Sequence, residues 1–260
     1  MSHRQRNERR TVAVIPARLQ STRLPEKLLL SETGKPLLQH TYEGVQTAER
    51  IDQTIVAAES WQIERSAKSF GAQVVMTDPL AKSGTDRVAE AVRDLDSAEI
   101  VVNVQGDEPE ISGASIDLAI DILERQPNAV MSTLCTPIRS KEQLFDPNCV
   151  KVVFDETGRA LYFSRSPIPF VRDEADLDFQ QNRFFQHIGL YAYRRNFLME
   201  LAKMPKSELE RLENLEQLRV LSAGHSIVVA QIDEPTVGID TPADYAAFVQ
   251  REQKRQRKAA

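Results

Sequence analysis

The sequence predicts a mixed α/β fold. Two observations carry this reading. Through the first half of the 260 residues, short apolar runs alternate with helical patterns, the signature of a parallel sheet covered by helices. In the second half a strand-turn-strand segment and a long proline-containing loop interrupt that rhythm. The length allows one large domain or two small ones. We expect a single α/β domain over residues 11–250, with a hairpin-and-loop insertion over about 150–195, a disordered basic tail at 1–10 and a basic end at 251–260.

The elements follow in order. Val12–Ile15 reads as a buried strand. Pro36 is placed to open a helix at its first position, with Leu37, Leu38, Tyr42 and Val45 at helical spacing to about Arg50. Thr54–Ala58 is a second strand. A helix over 60–70 stops at Gly71, and Gln73–Met76 is a third strand. Residues 85–95 read as a helix with Val88, Ala91, Val92 and Leu95 on one side, and Ile100–Val104 as a fourth strand. Val150–Phe154, the turn at Asp155–Gly158 and Ala160–Phe163 form a hairpin. Residues 165–183 read as a long loop, the kind that is functional or mobile in a compact domain. Phe184–Tyr193 is a strand, helices are expected near 196–203 and 208–223, Ser226–Gln231 is a late strand, and a helix over 242–257 closes the chain.

Charge narrows the function classes. The first ten residues carry +3 and the last ten +4, so a net charge of −5 leaves −12 on the body between them. That distribution argues against a nucleic-acid-binding module. The basic ends read as frayed, solvated tails, the sharper alternative being attraction to an anionic membrane surface. No apolar stretch approaches a membrane span or a signal segment, so the expected location is the cytoplasm. Cys135 and Cys149, the only cysteines, read as reduced, buried thiols without metal spacing.

The strongest chemical signal is the segment Ile15-Pro16-Ala17-Arg18-Leu19-Gln20-Ser21-Thr22-Arg23-Leu24-Pro25-Glu26-Lys27. It leaves the C-terminal end of the first strand, where open α/β sheets bind ligands. Arg18, Arg23 and Lys27, with hydroxyls at Ser21 and Thr22, suit a triphosphate: arginine grips phosphate as a fork, lysine as a mobile point charge. The same residues also fit a solvated loop paired with surface carboxylates. No P-loop or dinucleotide glycine pattern is present. Asp107, in Val-Gln-Gly-Asp-Glu-Pro, and Asp240, in Val-Gly-Ile-Asp-Thr-Pro, stand at abrupt strand-to-loop transitions. Two carboxylates with substrate phosphates are what magnesium takes, although Asp240 alone also reads as a helix cap or turn. Ser83-Gly84-Thr85-Asp86-Arg87 opens a helix, either as a plain cap or as a ribose or base contact. Arg165 has the fork to hold a carboxylate. His187 and Tyr191 share one face of a strand. Glu216 and Gln217 lie on an amphipathic helix, where Glu216 reads as surface.

Taken together, these motifs resemble the sugar-acid cytidylyltransferase family, which activates sugar acids with CTP. The match covers roughly residues 11–250, with the motifs in family order. The resemblance implies a nucleotide-diphospho-sugar-transferase-like, Rossmann-type fold with an inserted dimerisation region. It implies a magnesium-dependent nucleotidyltransferase moving CMP from CTP to a keto sugar acid, foremost 3-deoxy-D-manno-octulosonate (Kdo), for lipopolysaccharide biosynthesis. Lys27, Arg18, Asp107 and Asp240 become the catalytic group, with Mg²⁺ on Asp107 and Asp240. Arg18, Ser21, Arg23, Lys27, Ser83, Thr85 and Arg87 become nucleotide contacts. Gln105, Arg165, His187, Tyr191, Glu216 and Gln217 become sugar-acid contacts. A homodimer without nucleic-acid partners or membrane span is implied. One departure stands out: Ala57-Ala58-Glu59 replaces the usual Ala-Thr-Asp, which leaves the role of Glu59 open. Competing readings are the same chemistry on amino-Kdo or a sialic acid, a nucleotidyltransferase using UTP or a sugar 1-phosphate, and a non-catalytic nucleotide sensor.

Overall fold

The computed structural model describes residues 10–21, 23–173, 178–233 and 238–259. Thr22, the first nine residues of the basic N-terminal end, residues 174–177 of the long loop, residues 234–237 and Ala260 lie outside the described residues. The chain gathers into two compact units, one within Met1–Asp117 and Thr236–Ala260, the other within Leu118–Pro235.

The first unit holds a four-stranded parallel sheet. Its strands are β1 (Arg10–Ala17), β2 (Gln53–Ala58), β3 (Gln73–Met76) and β4 (Ala98–Asn103), in the order β3-β2-β1-β4. Val12 pairs with Gln53 on one side and Val101 on the other. Val12, Val14, Ile15, Ile55, Val56, Val101 and Val102 are fully or almost fully buried, as expected of strands covered on both faces. Between the strands come α1 (Leu37–Val45), α2 (Trp61–Ser69) and α3 (Gly84–Ala91). Ser60 and Ser83 cap the last two, their side chains accepting from the Ile63 and Asp86 N–H groups. Gly71, at φ 82°, follows α2 where only glycine turns without strain.

This order contains a reversal. From β1 the chain steps outward to β2 and β3, then returns to place β4 on the opposite side of β1. Ligands bind outside the carboxyl ends of the strands at such a switch point.

The second unit is mixed. It contains β5 (Ala129–Pro137), β6 (Lys151–Phe154), β7 (Ala160–Ser164), β8 (Phe185–Arg194) and β9 (Ser226–Gln231). β5 runs antiparallel to β8 and parallel to β9, and β6 and β7 form the expected hairpin. Three elements between Val104 and Val150 were not anticipated: β5, to which both β8 and β9 pair, α4 (Gly113–Arg125), which begins in the first unit and ends in the second, and the short α5 (Lys141–Phe145). α6 (Arg195–Leu201) completes the mid-chain helices.

Three expected boundaries moved for local reasons. The helix expected to reach Arg50 ends at Val45, because the Asp117 carboxylate holds the Glu49 and Arg50 N–H groups in a turn. The expected 208–223 helix is two, α7 (Glu208–Glu213) and α8 (Gln217–Ser222), parted by Asn214 at φ 51°. Asparagine tolerates that left-handed conformation. The C-terminal end is not frayed: α9 runs Pro242–Ala259, and Arg251 and Arg255 pair with Glu110 at 2.6 and 3.0 Å. The described part of 165–183 contains no helix or strand, as expected, and both cysteines are buried and free. Burial pushes the Cys135 thiol up to about 12, which keeps it an inert thiol. Among the described residues no helix is long and apolar enough to cross a membrane.

The start of α4 is a close-packed point. A Cβ on Gly113 would sit 2.4 Å from the Thr47 carbonyl and 2.5 Å from the Ala48 nitrogen, both backbone atoms that cannot swing aside. Gly113→Ala is expected to cost about 1–3 kcal/mol of stability, read as a lower denaturant midpoint with an unchanged slope.

Candidate active site

The switch point carries a cavity of about 670 Å³. Its wall comes from the segment after β1 (Pro16 to Leu28), the turn after β4 (Gln105 to Asp107) and Asp240. All belong to the first unit.

The segment after β1 is shaped by its backbone. The Glu26 N–H donates to the Leu19 carbonyl at 3.2 Å, closing the loop. Glu26 itself is left-handed at φ 51°, and a short 3-10 helix, Lys27–Leu29, follows. A non-glycine residue held there costs on the order of 1 kcal/mol and marks a constrained position. Its consequence is visible at Lys27. The ammonium turns inward and donates to Asp107 Oδ2 at 2.5 Å, Asp240 Oδ1 at 3.0 Å and the Ile239 carbonyl at 2.9 Å. Arg23 reaches the other oxygen of Asp240 at 2.9 Å. Arg18 is exposed on the wall, and Ser21 and Gln105 are half-buried there.

The two aspartates are brought together by main chain as well. The Ile239 N–H donates to the Asp107 carbonyl at 2.8 Å, with the Ile239 side chain fully buried. The Thr41 hydroxyl donates to the Gly106 carbonyl at 2.9 Å. Gly106 stands at a tight point: a Cβ would lie 3.1 Å from the Pro16 carbonyl and against Leu28. The turn after β4 therefore packs closely against the segment after β1, with little room for a side chain at Gly106.

The expected nucleotide residues at the start of α3 fall into two kinds. Ser83 is the helix cap, and Thr85 is buried. Arg87 is also buried. It donates to the Thr77 hydroxyl, the Asp78 carbonyl and Glu59 Oε2. Glu59 in turn accepts from the Leu19 N–H at 2.7 Å. Glu59 thus joins α3 to the base of the cationic loop, and the departure from Asp supplies the extra reach of one methylene. Arg87 holds Glu59, so its guanidinium works behind the loop.

The expected sugar-acid residues, Gln105 excepted, lie in the second unit. Arg165 spends its N–H groups on main chain, at 2.7 Å to the Glu213 carbonyl and 2.9 Å to that of Pro147. Behind it stands Lys151, completely buried, donating to the Arg165 and Asp146 carbonyls. Burial pushes the Lys151 pKa down, against the neighbouring Cys149, Asp146 and Glu213. The sequence offered no sign of this lysine beyond its place in a hairpin strand. His187 and Tyr191 do share a face, with ring centroids 5.4 Å apart, although β8 bulges between them. The bulge inserts two residues, which preserves the alternation. The bulge is held by Thr133, whose hydroxyl lies 2.9 Å from the carbonyls of both Ile188 and Leu190. With that proton committed to a carbonyl, His187 Nε2 donates to Thr133 Oγ1 across 3.0 Å. The Tyr191 hydroxyl reaches Gln217 Oε1 at 3.4 Å. Gln217 is buried, and its Nε2 has no hydrogen-bond partner among the described residues. Glu216 is half-buried beside Arg219, 3.4 Å from it.

A switch-point cavity walled by guanidinium, ammonium and carboxylate groups defines an α/β nucleotide-binding enzyme that handles phosphates: a nucleotidyltransferase. The cytidylyltransferase family profile matches residues 12–227, and the chain belongs to that family. It is 46% identical over 236 residues to a 3-deoxy-manno-octulosonate cytidylyltransferase of Solibacter usitatus, covering 91% of this chain and 92% of the relative. The protein of that name from Francisella tularensis strain SCHU S4 is 49% identical, across 89% of this chain and 94% of its own length. Among solved structures, CMP:2-keto-3-deoxy-manno-octonic acid synthetase complexed with CTP superposes with a TM-score of 0.89. It is 36% identical, with 95% of this chain and 99% of that one covered.

Burial pushes the His187 pKa down to about 3, so the ring is neutral at physiological pH. The folded value lies below the ordinary 6.5 of the unfolded chain. Its contribution to stability is therefore present above about pH 6.5 and is lost as pH falls toward 3. The His187 ring resonances should show no titration between pH 8 and 5 by NMR. A midpoint near 6.5 would contradict a buried neutral imidazole.

Proposed function

We propose that this protein transfers CMP from CTP to Kdo, giving CMP-Kdo and pyrophosphate for lipopolysaccharide biosynthesis in the cytoplasm. The observation that carries the reading is the meeting of Lys27, Asp107 and Asp240 at the switch-point cavity, beside Arg18 and Arg23. The identity of 44–49% to proteins named for this reaction supports the choice of acid.

The donor set fits magnesium. Among the described residues no three His, Cys, Asp or Glu side chains form a metal cage. Mg²⁺ is instead taken by one or two carboxylates with substrate phosphates completing its shell. Asp107 and Asp240 would hold it. When bound it supplies charge withdrawal from the phosphate and a lower pKa for the attacking hydroxyl. The chain's own groups do the rest. Arg18 and Arg23 have the forks to orient the triphosphate. Lys27, whose ammonium bridges the two aspartates at the cavity wall, would offset negative charge on the departing pyrophosphate. The sugar hydroxyl displaces pyrophosphate in line at the α-phosphate, so positioning and charge neutralisation carry the rate. We assign sugar-acid recognition to Tyr191, Gln217, Glu216 and the neutral His187 of the second unit, and separately to Gln105 of the first. The unpartnered Gln217 Nε2 is the observation in favour. Arg165 we assign to the same acid through the segment it braces. Ser21, Ser83 and Thr85 we assign to the nucleotide, with Arg87 acting through Glu59.

We further propose a homodimer formed through the hairpin-and-loop region. In support, two large apolar side chains of that region, Leu161 and Phe170, are 54% and 88% exposed. Sedimentation of Phe170→Asp should shift the protein toward monomer; a wild-type profile would remove this face from the interface.

Pyrophosphate release is expected with CTP, Kdo and magnesium together, and to vanish with UTP or EDTA. Release with N-acetylneuraminate but not Kdo would keep the chemistry and change the acid. Asp107→Asn should lower turnover by about 100-fold or more. Near-wild-type turnover would refute the role given to Asp107.

A further inference from the structure

Asp240 precedes α9, and the helix start is built in a particular way. Thr241 stands immediately before Pro242, the first helical residue, a position suited to proline. The Asp244 N–H donates to the Thr241 hydroxyl oxygen at 3.2 Å, and Asp244 Oδ2 accepts from the Thr241 N–H at 2.8 Å. This is a reciprocal capping box. Asp244 Oδ2 goes one residue further than a box requires and accepts from the Asp240 N–H at 3.2 Å. The same oxygen also takes the Thr241 hydroxyl at 2.8 Å. A single carboxylate oxygen therefore gathers the backbone on which the Asp240 side chain hangs.

The helix carrying this box is itself firmly seated. Tyr245 and Phe248 are buried. The Tyr245 hydroxyl accepts from the Glu32 N–H at 3.0 Å, and Glu110 clamps Arg251 and Arg255. The Phe248 ring meets His40 edge-on at 4.9 Å. The start of α9 is thus a fixed point, and Asp244 refers Asp240 to it.

We infer that Asp244 is a positioning residue: through its hydrogen bonds to Asp240 and Thr241 it sets the Asp240 carboxylate for the magnesium-bound nucleotide. The inference rests on the role given to Asp240 above. Asp244 does not touch substrate. A displacement on the order of 1 Å at such a group can cost up to about a hundredfold, so the effect should be read in ligand affinity and not only in stability.

The test is CTP binding by calorimetry on the full chain, with magnesium and with EDTA, in the absence of any sugar acid, so that nothing turns over. Asp244→Ala removes three acceptor contacts, while Tyr245, Phe248 and Arg251 keep the helix in place and the protein folded. It should weaken CTP binding about tenfold in magnesium and leave binding in EDTA unchanged. Asp244→Asn keeps an acceptor oxygen without the charge and should restore most of the loss. Arg251→Ala loosens the far end of α9 and should lower the melting temperature while leaving magnesium-dependent affinity alone. Wild-type affinity for Asp244→Ala with a lower melting temperature would reduce Asp244 to a helix cap and overturn the inference. Equal weakening with and without magnesium would overturn it too. Asp240→Asn serves as reference: if it leaves magnesium-dependent binding intact, the role of Asp240 falls, and this inference with it.

Discussion

One ammonium group ties together three stretches of chain far apart in sequence. Asp107 is 80 residues beyond Lys27 and Asp240 is 213 beyond it, yet both carboxylates approach the same nitrogen. Two carboxylates this close repel by on the order of 3 kcal/mol at an effective dielectric near 20, less where water screens the exposed side of Asp240. A cation between them is a condition for the arrangement, and Lys27 supplies it. The inward turn of Lys27 depends on the left-handed Glu26. The approach of the Asp107 turn is helped by Gly106, where a Cβ would lie tight against Pro16 and Leu28.

The strand order explains why these segments meet at all. Parallel strands end at the same edge, and the reversal on either side of β1 leaves the loops after β1 and β4 without a strand between them. Both loops then face one space, with the segment before α9 joined to the second of them by the bond from Ile239 to the Asp107 carbonyl. The electrostatics follow from topology. A cationic loop and an acidic turn are assembled side by side.

The second unit solves a different problem. Several of its polar residues are buried, and buried polar groups generally find partners within the protein. Lys151 gives its protons to carbonyls, Arg165 does the same, and Arg219 forms a bidentate pair with Glu210 at 2.5 and 2.7 Å. His187 is kept neutral by burial and held by Thr133 on the bulge of β8. Against this background the unsatisfied amide nitrogen of Gln217 is an exception, and an exception among satisfied neighbours points to a ligand group.

Much of this was legible along the chain. Parallel strands, the cationic loop after the first of them, the hairpin and the closing helix all announce themselves through local patterns: apolar runs, a turn at Asp155–Gly158, arginines clustered after Ile15-Pro16. β5 was missed because its polar Ser132, Thr133 and Thr136 are buried, which hides a strand from any reading of hydrophobic periodicity. The break at Asn214 and the early end of α1 were hidden because each depends on one residue's conformation or one distant carboxylate. By itself, then, the sequence determined which residues carry charge and where most of the individual strands and helices lie, since both are properties of neighbours in the chain. Only the tertiary structure decided which charges are spent and which face the cavity. Arg87 and Arg165 read as ligand contacts, yet their guanidinium groups are held by Glu59, Thr77 and main-chain carbonyls. Asp244 belongs to none of the motifs the sequence offered, yet it holds the backbone of Asp240. Hydrogen-bond partners distant in sequence are set by topology and packing, and no local pattern encodes them.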